Sequence, residues 1–306
     1  MAKELVFGHQ NPDTDAIAAA IAASYYLNEK GMDTEAVALG KPNDETNFAL
    51  NYFGVDALRV ITKADTKEVV LVDHNETAQS VANIDDVTVT HVFDHHKIDF
   101  KTSAPLFYHA EALGSTSTIL YEFFKKDGIE IPTKIAGLML SALISDTLLL
   151  KSPTTTDVDR DVIGKLAKIA GVDDVNDFGL DLLKAGTDLS KKTEKELIDG
   201  DAKTFKLAGK TFRIGQVNTV DIPSVLARKD ALKATIEAEN ASEGFNGFLF
   251  VITDILNSNS KALYFGEDSS KVAAAFQKEL VDNLIDLPGV VSRKKQVVPP
   301  LTDSFK

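Results

Sequence analysis

The 306-residue chain contains no cysteine, no tryptophan and only three methionines. Without thiols there is no disulfide framework, no zinc–thiolate site and no thiol nucleophile. Positive charge is also scarce: 33 Lys and Arg stand against 46 Asp and Glu, a formal net charge of −13. Such a balance speaks against broad contact with a phosphate backbone, so no nucleic-acid partner is expected. Long apolar runs are missing too. The stretch 138–150 is interrupted by Ser141, Ser145 and Asp146, and it falls short of the roughly 20 residues a membrane-spanning helix needs. Met1-Ala2-Lys3-Glu4 leads directly into an apolar strand rather than a signal-peptide core, so a cytoplasmic location with no membrane partner is expected.

What is present is ordinary soluble-protein composition, 44% hydrophobic and 26% charged, in a chain long enough for two domains. Through residue 185 the pattern alternates. Short Val-, Leu- and Phe-rich runs at 5–8, 36–39, 69–72 and 87–93 predict strands. Runs at 15–29, 43–52, 77–82, 116–126, 133–144 and 157–170 predict helices. This is the pattern of an α/β fold, a mostly parallel sheet with helices on both faces. Composition shifts at 184–195, a polar Gly- and Lys-containing stretch that predicts a linker. Beyond it, a hairpin over 201–217, a helix over 224–239, strands over 248–253 and 262–265 and a helix over 272–281 predict a smaller mixed α/β domain. The expected division is therefore 1–185, a linker at 186–195, and 196–306.

Polar clusters fall where the predicted strands end, which is where open α/β sheets bind ligands. His9, Asp13 and Asp15 follow the first strand in Gly8-His9-Gln10-Asn11-Pro12-Asp13-Thr14-Asp15. Asp73-His74-Asn75 follows the third, Asp94-His95-His96-Lys97 follows the fourth, and Ser145-Asp146-Thr147 closes an apolar helix. Imidazole nitrogen with hard carboxylate oxygen suits Mn²⁺, Mg²⁺ or Co²⁺. Asp13, Asp15, Asp73 and Asp146 held together without cations would repel. A pair of ions sharing a carboxylate and a water, about 3.5–4 Å apart, removes that cost and forms a clamp for phosphoryl transfer.

On this reading His9 and Asp13 serve one ion, Asp15 and His95 the other, and Asp73 and Asp146 are shared. Neighbours on an extended segment point opposite ways, so His96 is assigned to the substrate rather than to the ion of His95, with Asp94 orienting one ring. The missing positive charge sits in Ser292-Arg293-Lys294-Lys295, with Lys203 a further candidate. Each piece read alone has a plainer meaning. Asp13 or Asp15 could simply cap a helix, Asp73 could be a turn residue, and the 114–116 run could be a cap rather than an anion site. His91 and His109 read as packed or surface residues, while His74 either orients Asp73 or supports its turn.

Taken together, GHQNPDTD, VDHNE, FDHHK, SDT and SRKKQVVPPL resemble the manganese-dependent, family II inorganic pyrophosphatases of the DHH phosphoesterase superfamily. The resemblance runs the length of the chain in order. It implies a DHH catalytic domain followed by a DHHA2-type substrate domain. It further implies hydrolysis of pyrophosphate to two phosphates by a metal-bridged hydroxide at the interdomain cleft. The metal ligands it implies are His9, Asp13, Asp15, Asp73, His95 and Asp146, holding two Mn²⁺ per subunit. Co²⁺ or Mg²⁺ would substitute, and Mg²⁺ would accompany the substrate. His96, Lys203, Arg293 and Lys294 would act on the substrate, and the protein would be a homodimer joined through its N-terminal domain. The rival readings are a related exopolyphosphatase, an oligonucleotide or cyclic-dinucleotide phosphodiesterase, and a non-catalytic metal- or phosphate-binding module that kept the fold. Nucleotide-handling relatives carry a G-G-G-H element that this chain lacks.

Overall fold

The computed structural model describes residues 3–306; Met1 and Ala2 of the expected first domain lie outside the described residues. The chain divides into two compact units, the first ending at Gly186 and the second starting at Thr187. The first contains β1 (Glu4–Phe7), α1 (Thr14–Glu29), β2 (Thr34–Ala36), α2 (Asp44–Phe53), β3 (Glu68–Val72), β4 (Thr88–Asp94) and β5 (Phe107–Ala110). It continues with α3 (Thr116–Asp127), α4 (Thr133–Thr147), α5 (Asp157–Ala170) and α6 (Val175–Gly186). All five strands are parallel, in the order β2-β1-β3-β4-β5. The chain leaves β1 toward β2 on one side and returns to β3 on the other. The loops at their carboxyl ends therefore diverge and open a crevice.

The helices do not cover both faces of this sheet, contrary to the sequence expectation. Leu5, Phe7, Val69, Leu71, Val89 and Val92 pack against Ile61, Ala64, Val81, Ile84, Phe100 and Leu106, residues of irregular chain and a 3-10 turn. The helices gather on the other side, where α1 touches β1, β2 and β3, and α3 touches β4. Alternation along each strand explains the split, since Val70 and Val72 point away from Val69 and Leu71. Val89 and Val92 share a face although three residues apart, because Val69 pairs with Val89 but Val70 with His91. Thr90 is the extra residue of a bulge.

Helix α4 is buried at nearly every position from Ala136 to Ile144, as a helix apolar all round must be; α1, α2, α3, α5 and α6 surround it. Helix α1 is alanine-rich, and it comes so close to β1 that a Cβ on Gly8 would lie 2.5 Å from the Ala16 Cβ. That approach sets the turn carrying His9 and Asp13. The helix expected over 77–82 is only a 3-10 turn, Thr77–Gln79. The chain straightens at Ser80 because the Gln79 and Ser80 carbonyls accept hydrogen bonds from the Gln10 backbone N–H (2.8 Å) and its side-chain Nε2 (2.6 Å). A predicted helix is thus spent on bracing the loop that carries His9 and Asp13.

The second unit holds α7 (Glu194–Asp199), β6 (Ala202–Leu207), β7 (Lys210–Thr219), α8 (Ile222–Leu226), α9 (Lys229–Glu243), β8 (Gly247–Asp254) and β9 (Asn259–Gly266). It ends with α10 (Ser269–Ala275), β10 (Leu284–Pro288), one π-helical turn (Arg293–Val297) and α11 (Val298–Ser304). Its sheet runs β10-β9-β8-β7-β6, with only β7 and β8 parallel. Phe248, Phe250 and Ile252 face the core under α7, α8 and α9, whereas Leu249 and Val251 face the one under α10 and α11. The helix expected over 224–239 is broken into α8 and α9. Arg228 turns back to bond Glu194 Oε1 and the Leu189 and Lys192 carbonyls, which ends the first piece. The helix expected over 272–281 stops at Ala275, with Gln277 in a left-handed conformation. Irregular chain joining the units covers only 187–193, since α6 runs through Gly186 and Thr193 opens α7 with a capping box. Among the described residues no helix is long and apolar enough to cross a membrane.

Candidate metal centre

The loop carrying His9 and Asp13 leaves β1 and enters α1. Asp13 caps that helix, its Oδ1 accepting from the Ala16 N–H at 3.0 Å, while its Oδ2 lies 3.4 Å from His9 Nε2. Capping and ligation are therefore not alternatives here, because one carboxylate offers an oxygen to each. Asp15, in the first turn of α1, is fully buried. Asp73 follows β3 in a left-handed conformation, φ 56°, a strained placement for a non-glycine residue and common at functional sites. Its Oδ2 is 3.6 Å from His9 Nε2 and its Oδ1 is 3.2 Å from His95 Nε2. Asp146 sits in the last turn of α4, its Oδ2 3.9 Å from His95 Nε2. The six residues thus meet as two sets, His9–Asp13–Asp73 and Asp15–His95–Asp146, with all ligand atoms of each set within 4.8 Å. Asp73 links them.

His96 departs from the alternation argument. Strand β4 ends at Asp94, so the next two residues are no longer extended. Both rings turn to the same carboxylate, and His96 Nδ1 lies 3.7 Å from Asp73 Oδ1. It is Asp94 that holds this ring: Oδ1 accepts from His96 N–H at 3.1 Å and lies 2.9 Å from Nδ1. Asn75 Nδ2 binds the other Asp94 oxygen at 2.5 Å. His74 supports its own turn, with Nδ1 2.9 Å from the Val72 carbonyl, and burial drops its pKa to about 4. His91 lies beside Phe93 and Phe107, and His109 packs on Phe123, both outside the cluster.

The 114–116 run does bind an anion, but an internal one. The N–H groups of Thr116 (2.6 Å) and Ser117 (3.1 Å) and the Ser117 hydroxyl (2.6 Å) all donate to Asp15. Thr116 Oγ1 donates to Asp73 Oδ1 at 3.1 Å.

Electrostatics shows the cost of crowding these groups. Burial and the Asp15 charge push Asp73 up to about 7, and burial with the charges of Asp15, Asp73 and Asp13 pushes Asp146 well above the usual carboxylate range. Burial alone would lower His9 and His95. The hydrogen bond and charge of Asp13 outweigh it for His9, and Asp73 and Asp15 do so for His95, so each rises to about 9. Without metal, then, the cluster holds protons where it wants cations.

The donor set fits divalent ions. His9 Nδ1 faces the Gln10 carbonyl at 2.8 Å and His95 Nδ1 the Leu113 carbonyl at 2.9 Å. With the proton on Nδ1, each ring turns the Nε2 lone pair inward, the posture of a metal-ligating histidine. Oxygen and nitrogen donors without sulfur suit Mn²⁺ or Co²⁺ and admit Mg²⁺. A cavity of ≈ 660 Å³ opens beside the cluster, lined by Asp13, Asp73, His95, His96 and Asp146 on one side and by residues 152–156 on the other.

The basic candidates lie in the second unit. The Arg293 guanidinium, nearly buried, bonds the Asp201 carbonyl and holds Asp201 Oδ1 at 2.7 Å. It also reaches the carbonyl of Ile214, the residue paired with Lys203. Lys203 and Lys294 are exposed. Arg293 and Lys203 therefore lie near the start of β6, and Lys294 follows Arg293 in the chain.

Sequence reasoning missed Glu45 and Asp159. Glu45 accepts from Thr14 Oγ1 (2.7 Å) and Ser145 Oγ (2.5 Å) and is pushed up by burial. Its position in the first turn of α2 carries no motif. Asp159 did carry one, because T-x-x-D at residues 156–159 is a capping-box spacing.

A parallel sheet with imidazole and carboxylate side chains gathered at its switch point, followed by a second mixed sheet, describes DHH-type proteins. Residues 3–143 match the DHH family N-terminal domain, and residues 180–304 match the DHHA2 domain. A Lactiplantibacillus plantarum protein named a probable manganese-dependent inorganic pyrophosphatase is 61% identical over 100% of this chain and 99% of its own length. A Methanococcus jannaschii crystal structure assigned to the family II inorganic pyrophosphatases is 40% identical, covers 98% of both chains and superposes with a TM-score of 0.64. A Bacteroides fragilis exopolyphosphatase-related protein shares the fold at 13% identity, covering 99% of this chain and 91% of its own, with a TM-score of 0.52. The chain belongs to the manganese-dependent, family II inorganic pyrophosphatases.

Proposed function

We propose that the protein hydrolyses inorganic pyrophosphate to two phosphates. His9, Asp13 and Asp73 would hold one Mn²⁺, Asp15, His95 and Asp146 a second, with Asp73 between them. The observation that carries this is the meeting of six nitrogen and oxygen ligands with two inward-facing Nε2 atoms. Divalent ions there supply Lewis acidity, neutralising phosphate charge and making water a better nucleophile near neutral pH. Co²⁺ or Mg²⁺ fits the same donors, and Mg²⁺ would accompany the substrate.

The chain's own groups do the rest. Asp94 fixes His96 through Nδ1 and raises its proton affinity, against the effect of partial burial. The ring can then hand a proton to the departing phosphate as the P–O bond breaks. Arg293, Lys294 and Lys203 neutralise the phosphate oxygens where charge builds. The second unit supplies these basic side chains on this reading, and the net charge of −13 leaves no general affinity for nucleic acid. The reading extends to a cytoplasmic homodimer joined through the first unit, where β5 is a sheet-edge strand with Phe107 exposed.

Phosphate release from pyrophosphate and from tripolyphosphate, each with Mn²⁺, Co²⁺ and Mg²⁺, is the direct test. Fast release from pyrophosphate with Mn²⁺ or Co²⁺ is expected; preference for the longer chain would favour an exopolyphosphatase instead. Lys294→Ala is expected to raise KM for pyrophosphate roughly tenfold, the worth of one charge-assisted hydrogen bond, with no change in melting temperature because Lys294 is exposed. Arg293→Ala should raise KM and lower the melting temperature together, since its guanidinium also ties down Asp201. Equal melting of both variants would separate Arg293 from that structural role.

A further inference from the structure

Three metal ligands are aimed by one short run of chain. The Leu113 carbonyl faces His95 Nδ1, the Thr116 and Ser117 groups hold Asp15, and the Thr116 hydroxyl holds Asp73. Nothing in that run is itself a ligand, so something must hold it in register. A single carboxylate from α5 does. Asp159 is fully buried, and four donors converge on it: Gly114 N–H (2.9 Å), Thr156 N–H (2.7 Å) and Thr156 Oγ1 (2.7 Å) on Oδ2, and Thr118 Oγ1 (2.8 Å) on Oδ1. Gly114 leaves room for this, since a Cβ there would lie 2.8 Å from Asp159 Oδ2 and 2.6 Å from Thr147 Cγ2. The same carboxylate completes the capping box of α5, so it also fixes the end of the 152–156 wall of the cavity.

We propose that Asp159 is a positioning residue of the metal centre, fastening residues 113–118 so that Asp15, Asp73 and His95 converge on one locus. Asp159 touches neither metal nor substrate; it acts through Gly114, Thr118 and Thr156. The inference rests on the metal-binding reading above. Removing a direct hydrogen-bond partner of a ligand typically costs 10- to 100-fold in metal affinity, and Asp159 fastens the run that carries three such partners, Leu113, Thr116 and Ser117. A merely structural carboxylate would lower the melting temperature and leave the affinity of the folded protein alone.

The test is Mn²⁺ affinity of the full chain, read from the electron paramagnetic resonance signal of free Mn²⁺ at a temperature where each variant is folded. Asp159→Ala is expected to raise the dissociation constant about 10- to 100-fold, with kcat at saturating Mn²⁺ within about threefold of wild type. Asp159→Asn should rescue most of the affinity. Its oxygen can accept from Gly114 and Thr156 while its amide donates to the Thr118 hydroxyl. Folded Asp159→Ala binding as tightly as wild type, or Asp159→Asn as defective as Asp159→Ala, would overturn the proposal. Should Asp159→Ala fail to fold, Thr118→Val decides in the same assay: a weakened site supports the assignment and an unchanged one overturns it. Wild-type protein that bound no Mn²⁺ would overturn the metal reading itself, a result distinct from tight binding by both wild type and Asp159→Ala.

Discussion

Replacing Asp73 with asparagine is expected to lower Mn²⁺-dependent pyrophosphate hydrolysis by a factor of about a thousand or more while making the metal-free protein harder to melt at alkaline pH. The two effects have one cause. Asp73 links both ligand sets, so a neutral amide removes charge that each ion needs. In the metal-free protein the same charge is a burden, since burial and Asp15 push Asp73 up to about 7 from 3.8. A carboxyl whose folded value is raised holds its proton more tightly in the native state. That contribution to stability is fully present below the unfolded value and is lost as the pH rises through the folded one.

Asparagine cannot ionise, so it escapes the loss. Its melting advantage over wild type should therefore grow from pH 5 to pH 8, reaching several degrees. Melting curves of the two chelator-treated proteins at both pH values, with phosphate release at saturating Mn²⁺, measure both halves. A variant that kept its turnover would remove Asp73 from the centre, and parallel melting at both pH values would show that the buried charge carries no such cost.

How much of this was legible in residues alone depends on whether a side chain announced itself through spacing. His9, Asp13 and Asp15 stand on one tight turn, and Asp73 and His95 each follow a Val-rich strand, so period and position found them. What stayed hidden was support. Gln10 reaches back to Gln79 and Ser80 and so cancels a local helix pattern, a tertiary demand that no window of sequence displays. The covering of one sheet face by irregular chain was hidden for a similar reason. Residues 54–67 and 73–87 contribute isolated apolar side chains such as Ile61, Val81 and Ile84, without helical period. The posture of His96 differs because strand alternation was carried two residues past the end of β4. Asp159 had the spacing of a capping box, but a capping box says nothing of Gly114, 45 residues away. For Gln10 and Asp159 the missing fact is a long-range hydrogen bond; for the sheet face it is packing, and for His96 it is where the strand stops.

Metal loading itself should be steeply pH-dependent. His9 and His95 each sit at about 9 in the metal-free protein, so near neutral pH both Nε2 atoms carry protons, and only the neutral ring can ligate. Each ion must displace one, and Asp73 and Asp146, also raised, give up theirs as well, so at least two protons should leave per chain on filling both sites. The apparent Mn²⁺ dissociation constant should then fall at least tenfold per pH unit per site near neutral pH. The sign is fixed by which form binds. A histidine raised by carboxylate partners stabilises the metal-free fold below its ordinary 6.5, a contribution lost as the pH climbs through 9. Asp73 and Asp146, also raised, lose theirs in the same direction. Chelator-treated protein should therefore weaken over the very range in which Mn²⁺ binds more tightly, and the Mn²⁺-induced rise in melting temperature should widen with pH. At a thousandfold excess over the dissociation constant, one site adds about 4 kcal/mol, or about 8–16 °C for a unit of this size. Titration calorimetry in two buffers of different ionisation enthalpy counts the protons, and melting with and without Mn²⁺ gives the linked stability. Affinity that did not change with pH, with no proton released, would mean that neither imidazole binds the ion through Nε2.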